Sequence, residues 1–317
     1  MWRDKTIVGI TVAAVLIALG SLLIPSWLLN QALFGFSRAL AVLGLMVLWR
    51  TGLVSFGHAL YFGGGAYAAA LLNRYLGIDD FFVLLFAAIL MTGAVGFLLG
   101  FIIRRYRDIF FAMLSLAFSM ILYGVLVKTE ALGSTDGFAV SSPKFLFYAP
   151  EPGDEAKQAL FVTLCVVGWL AAVGVQLYLN STLGRLTTAI RDNEIRVEYL
   201  GFSAEHAIHV KYVMSAVLAG AGGAVMAMSL GQVDPDSMVN WTASGELVFV
   251  TILSGPGSVA APFIGSVIFE LLRTYAVEFL PHSWQIIVGG TLLAVIFFLP
   301  GGIWSLLSRL RVPRSQP

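Results

Sequence analysis

Charge, sulfur and phosphate-binding motifs are what this chain has least of. Only 12% of its 317 residues are charged, and it carries one cysteine and four histidines. The single thiol, Cys165, sits in the apolar run FVTLCVVGWL. An intrachain disulfide and a thiolate metal site are both excluded, and the residue reads as a small buried hydrophobe. None of the five lysines follows a glycine, which removes the phosphate-cradling pattern G-x-x-x-x-G-K-S/T. If ATP drives this chain, another polypeptide binds it. A nucleophile elbow, an H-E-x-x-H helix and an acidic metal cluster at a membrane face are also missing, so no catalytic residues, metal or cofactor are expected. The 19 basic and 18 acidic residues are dispersed. Their one close cluster, Arg104, Arg105 and Arg107, ends an apolar span, which argues against nucleic-acid binding.

What the chain does have is apolar length. Hydrophobic residues make up 58% of it and the mean hydropathy is +0.87, which places it in the polytopic membrane class. A helix needs about 20 apolar residues to cross about 30 Å of hydrocarbon. Nine segments qualify, near 7–29, 31–49, 53–73, 80–103, 108–128, 159–179, 212–231, 262–279 and 284–303. A tenth is expected near 238–254, where ELVFVTILS is short and runs into Gly255, Pro256 and Gly257; a broken helix suits it. The N-terminal stretch has the charge pattern of a signal peptide, but its apolar run is long and no A-x-A site follows, so it reads as a retained helix. The expected fold is all-α, a polytopic transmembrane bundle of about ten spans in one permease-like domain over residues 1–317.

With ten crossings and the N-terminus inside, thirteen of the nineteen basic residues fall in the cytoplasm, among them Arg3, Arg50, Arg104, Arg107, Lys211, Arg309, Arg311 and Arg314. The positive-inside rule favours that orientation. It makes loop 129–158 external and loop 183–211 cytoplasmic. The external loop holds Glu130, Asp136, Glu151, Asp154 and Glu155, a carboxylate surface suited to a basic partner. The cytoplasmic one, LGRLTTAIRDNEIRVEYLGFSAEHAIHV, reads as two short helices hinged at Gly201. Its mixed charge suits docking onto a soluble protein better than anchoring to lipid.

Helices in lipid associate by close packing of small residues. Gly64 and Ala68, Gly65 and Ala69, Gly96 and Gly100, and Ala219, Gly223 and Ala227 have that spacing. Charge at membrane depth costs about 2.5 to 3.5 kcal/mol per residue on insertion scales and needs a partner or a wet cavity. Arg38 lies midway through the second span, and Glu270 and Arg273 can pair locally at i, i+3. Glu246 stands upstream of a Gly/Pro break, the kind of discontinuous segment that lines substrate paths. The expected pathway residues are His58, Glu246, Ser254, Gly255 and Gly257. For His58, in SFGHALYFGGGAY, a hydrogen-bonded packing role competes with lining the path.

Five segments in order resemble the LivM-type permease of the high-affinity branched-chain amino-acid ABC importers. They are GLVSFGHALYFGGGAYAAALL at 52–72, RDIFFAMLSLAF at 107–118, GSTDGF at 133–138, LGRLTTAIRDNEIRVEYLGFS at 183–203 and SGELVFVTILSGPGS at 244–258. The resemblance implies a bacterial inner-membrane subunit with both termini cytoplasmic. Its implied partners are a homologous LivH-like second permease, two cytoplasmic ATPase subunits and a periplasmic substrate-binding protein. It also implies that Arg191, Glu194, Arg196, Glu198 and Gly201 form the segment that couples to the ATPase. The competing reading is a proton- or ion-coupled secondary transporter using Glu246 or His58, which leaves the charged cytoplasmic island without a use. Branched-chain amino acids, other amino acids, urea and short amides all remain open as cargo.

Overall fold

A computed structural model describes residues 5–146 and 148–306. Arg3, Arg309, Arg311 and Arg314, used above for orientation, lie outside the described residues. The chain folds as an all-helical bundle. Its helices are α1 (Lys5–Gly20), α2 (Ser26–Trp49), α3 (His58–Leu76), α4 (Phe81–Ile103), α5 (Asp108–Lys128), α6 (Asp154–Asn180), α7 (Thr182–Asp192), α8 (Glu194–Tyr199), α9 (Ala204–Leu230), α10 (Pro235–Met238), α11 (Trp241–Ser254), α12 (Ala261–Phe279) and α13 (Trp284–Phe298). Ten of these coincide with the ten expected spans; α7, α8 and α10 are short helices outside them. Among the described residues, six helices are long and apolar enough to cross a membrane by those criteria alone: α1 with the turn after it, α2, α4, α5, α6 and α9.

Helix α9 is the hub, packed against α2, α3 and α4. Small residues allow this, because an α-carbon without a side chain lets two backbones approach. A Cβ built on Gly65 would lie 2.1 Å from the carbonyl oxygen of Gly220, and one on Gly223 would lie 1.7 Å from that of Phe62. The expected faces through Gly65 and Gly223 therefore form the α3–α9 contact, while Gly96 and Gly100 pack α4 on α9 and Gly64 faces α4. Helices α1, α4, α5 and α13 sit at the periphery with large apolar side chains exposed, including Leu16, Phe86, Phe110 and Phe297.

Several boundaries differ from the sequence reading for local reasons. Ser203 caps α9 by accepting from the His206 N–H, so α9 starts eight residues earlier than expected, and Lys211 is buried in it rather than in a loop. Helix α6 starts at Asp154 without a side-chain cap, which shortens the loop expected to be external to 129–153. That loop folds back onto the bundle. Strand β1 (Phe138–Ala139) pairs antiparallel with β2 (Gln232–Val233), and Lys144 forms an ion pair with Asp79 at 2.7 Å. Asp80 caps α4 and also accepts from the Leu146 N–H at 2.7 Å.

The hinge within the charged island expected to be cytoplasmic is Asn193, not Gly201. Asn193 leaves the helical region and its side chain caps α8 by accepting from the Arg196 N–H at 2.9 Å, as asparagine does at helix starts. Gly201, at φ +84°, ends the second short helix rather than the first. The segment expected as a broken helix is interrupted at 239–240, between α10 and α11, and is short. Helix α11 has 14 residues, about 21 Å at 1.5 Å per residue, and stops where Gly255 takes φ +82°.

Candidate functional site

A cavity of about 860 Å³ opens beside α11, with β2 and α10 also contributing to its lining. Its walls come from α2, α11, α12, α13 and the end of α9. Six charged side chains line it, Asp234 and Asp236 beside α10 and four that meet as ion pairs. Arg38 Nη1 lies 2.7 Å from Glu270 Oε1, Arg38 Nη2 lies 3.2 Å from Glu246 Oε2, and Arg273 Nη1 lies 3.6 Å from the same Glu246 oxygen. Glu270 and Arg273 are thus not a self-contained i, i+3 pair. Each turns to a charge on another helix, because Arg38 projects from α2 into the gap between α11 and α12. The quartet carries no net charge, which is how charge is tolerated at this depth. Arg38 is 8% exposed and its guanidinium lies 5.6 Å from the Phe269 ring centre, while that of Arg273 lies 5.4 Å from Trp284. Phe34, Phe62, Met226 and Phe249 supply the apolar lining.

A second, apolar cavity of about 280 Å³ lies further along the same helices, lined by Leu45 and Trp49 of α2, Val248, Thr251 and Ile252 of α11, and Ile296 of α13. Along α11 the two cavities are one residue apart, since Phe249 lines the first and Val248 the second. Along α2 they are separated by Arg38 to Leu45, about 10 Å of helix. Below the second cavity, Arg50 clamps the turn after α11, donating from Nε to the Pro256 carbonyl at 2.8 Å and from Nη2 to the same oxygen.

The expected pathway residues fall in different places. Glu246 lines the larger cavity. His58 is fully buried between helices, its Nε2 2.5 Å from Ser215 Oγ and its ring edge-on to Tyr61. The Ser254 hydroxyl donates to the Val250 carbonyl at 2.6 Å. Gly255 lies against the backbone of Gly301, where a Cβ would meet the carbonyl oxygen at 2.1 Å, and Gly257 packs on Trp304. These four shape the turn and the bundle and line neither cavity. Sequence reasoning named Arg38, Glu270 and Arg273 as membrane charges but did not group them with Glu246. Their spacing along the chain holds no signal that three helices converge.

At the other end of α9, 27 residues away and about 40 Å along its axis, stands the α7–α8 island. Arg107, at the start of α5, braces it: Nε donates to Glu194 Oε2 at 2.7 Å and Nη2 to Oε1 at 2.5 Å. Arg104 adds an ion pair with Glu205 at 3.3 Å. Val197 is the buried contact of α8. Arg191, Arg196, Glu198 and Gly201 are exposed, and beside them so are Ile195, Tyr199 and Leu200. Exposed apolar and charged side chains thus share one tip, which Arg107 braces against the bundle. Of the five expected coupling residues, Glu194 is a brace and the other four face outward.

Residues 27–296 match the family described as the branched-chain amino acid transport system permease component. The chain belongs to that family. The permease is 29% identical over 286 residues to the high-affinity branched-chain amino acid transport system permease protein LivM of Escherichia coli strain K12, covering 83% of this chain and 67% of that one. It is 21% identical over 288 residues to LivH of Salmonella typhimurium, covering 86% and 93%. It is 25% identical over 192 residues to the autoinducer 2 import system permease protein LsrC of Klebsiella pneumoniae, covering 55% and 54%. No solved structure matches it. The permease is therefore a multi-pass inner-membrane transport subunit of an ABC importer rather than an enzyme, as the sequence resemblance implied.

Proposed function

We propose that this permease moves branched-chain amino acids inward, in complex with a homologous second permease, two cytoplasmic ATPases and a periplasmic binding protein, with its N- and C-termini in the cytoplasm. The observation that carries this reading is the placement of the charged cavity and the α8 tip at opposite ends of α9. The cavity faces the side of the folded external loop, where a binding protein would release its cargo. The tip faces the side where an ATPase would dock. ATP binding closes the ATPase pair and pulls on α8. The rigid brace from Arg107 to Glu194 passes that movement to α5, while α9 passes it to α2 and α3, opening the path outward. Hydrolysis resets it. This is alternating access by rigid-body motion. Of the acidic residues on the external loop, Glu130, Asp136 and Glu151 are exposed and left for the binding protein. Asp154 instead accepts from the Ser26 hydroxyl at 2.8 Å and Glu155 from Tyr148, a bond that raises the Tyr148 pKa.

The test is to purify the tagged chain from its native membrane in mild detergent, identify its companions by mass spectrometry, and reconstitute the complex with its binding protein. The expected result is a second permease, two ATPases and ATP-dependent uptake of leucine, isoleucine and valine. Uptake driven by a proton gradient without ATP would overturn the reading in favour of a secondary transporter.

A further inference from the structure

The charged quartet is closed on one side and open on the other. Arg38 is committed, with one nitrogen on Glu270, one on Glu246 and its face toward Phe269. Arg273 is not. Its 3.6 Å contact with Glu246 is too long for a hydrogen bond, its side chain is 35% exposed, and it lies over Trp284 at the cavity wall. A guanidinium is a planar fork of donors that suits a carboxylate bidentately. Glu246 is also half used: both arginines approach Oε2, and no ion pair among the described residues engages Oε1. Phe34, Phe62, Met226 and Phe249 give the wall an apolar stretch, while Asp234 and Asp236 line it on the α10 side.

The geometry points to a binding site inside the permease for a zwitterionic α-amino acid. Its carboxylate sits on Arg273, its ammonium on Oε1 of Glu246 and its aliphatic side chain against Phe34, Phe62, Met226 and Phe249. Arg38 and Glu270 act as positioning residues that hold Glu246 in place. The charge balance explains why both ends of the ligand matter. The quartet sums to zero, so a zwitterion adds no net charge to it, whereas a free carboxylate or amine does; Asp234 and Asp236 lie apart from it on the α10 side of the cavity, Asp236 accepting from the Tyr123 hydroxyl. The selection would then act in the membrane as well as in the binding protein. The inference rests on the importer reading and names the ligand chemistry of its cavity.

The test uses the permease–ATPase complex in lipid nanodiscs without its binding protein, so that only the membrane site is sampled. Binding of L-leucine, 4-methylpentanoate and 3-methylbutylamine is measured by saturation-transfer NMR. Leucine is expected to bind about tenfold or more tightly than either analogue, since each lost charged hydrogen bond is worth at least about a decade in affinity. Arg273→Gln is expected to bring leucine down to the level of 3-methylbutylamine, and Glu246→Gln to the level of 4-methylpentanoate. Equal binding of the three probes to the unmodified complex, or no leucine binding at all, overturns the site whether or not the variants fold. Unchanged leucine affinity in both variants, each still copurifying with its partners, overturns it as well. ATP-driven uptake by the same complexes reconstituted into sealed proteoliposomes, with binding protein added, separates the two levels. Uptake without probe discrimination removes the site and leaves the importer, while absence of ATP-driven uptake removes the importer reading on which the site rests.

Discussion

At the residue scale, Arg38 has the largest energetic leverage, because it alone bonds both Glu246 and Glu270. Removing one partner of a buried ion pair leaves an uncompensated charge and costs about 3 to 5 kcal/mol. Arg38→Met is therefore expected to lower the thermal midpoint of the purified complex sharply. Adding Glu270→Met should recover much of that loss, since an apolar pair of similar volume removes the stranded carboxylate. If the double variant is no more stable than the single one, Arg38 acts by packing alone. Glu246→Gln keeps the shape of the side chain and removes its charge. It is expected to reduce uptake with assembly intact, and full uptake would leave Glu246 without a transport role.

At the element scale, the α7–α8 island owes its form to Asn193 and its rigidity to Arg107. Asn193→Ala removes the side-chain acceptor at the start of α8 and is expected to cost about 1 kcal/mol of local helix stability, read as faster amide exchange over Glu194–Tyr199. Glu198→Arg reverses charge on the exposed tip without touching the buried contact of Val197. It should abolish ATPase copurification while the permease remains inserted. Retention of the ATPase at the normal level would remove α8 from the docking surface. In the bundle, Gly65→Val places a branched side chain where even a Cβ meets the Gly220 backbone at 2.1 Å. Helix α3 then has to separate from α9, and the yield of folded complex should fall to near background.

At the scale of the whole molecule, the proposal requires α8 and the β1–β2 pair to lie on opposite sides of the membrane. Cysteines introduced at Tyr199 and Asp136, both exposed, report this directly, and Cys165 is buried. In intact cells an impermeant maleimide is expected to label Asp136→Cys and not Tyr199→Cys, with the second becoming reactive after the membrane is opened. The reverse pattern would invert the orientation and put the cavity on the wrong side for a binding protein.

Local chemistry carried a great deal of this. Apolar runs located the ten helices, with several ends displaced by five to nine residues, since burial in hydrocarbon is set by composition over about 20 positions. The Gly/Pro turn after Ser254 and the small-residue faces of α3 and α9 were likewise legible, because backbone freedom and side-chain size belong to single residues. The boundary of α9 and the hinge at Asn193 were misread where a polar side chain served as a cap, and that of α6 where its first turn is charged, features that hydropathy averages away. The chain by itself determined that this is a polytopic membrane protein without its own ATP site, and which of its few membrane charges needed partners. Only the tertiary structure decided that Arg38, Glu246, Glu270 and Arg273 are each other's partners and that His58 is not among them. Ion pairing depends on distance in space, and residues 38, 246 and 270 are brought together by helix packing that no spacing along the chain records.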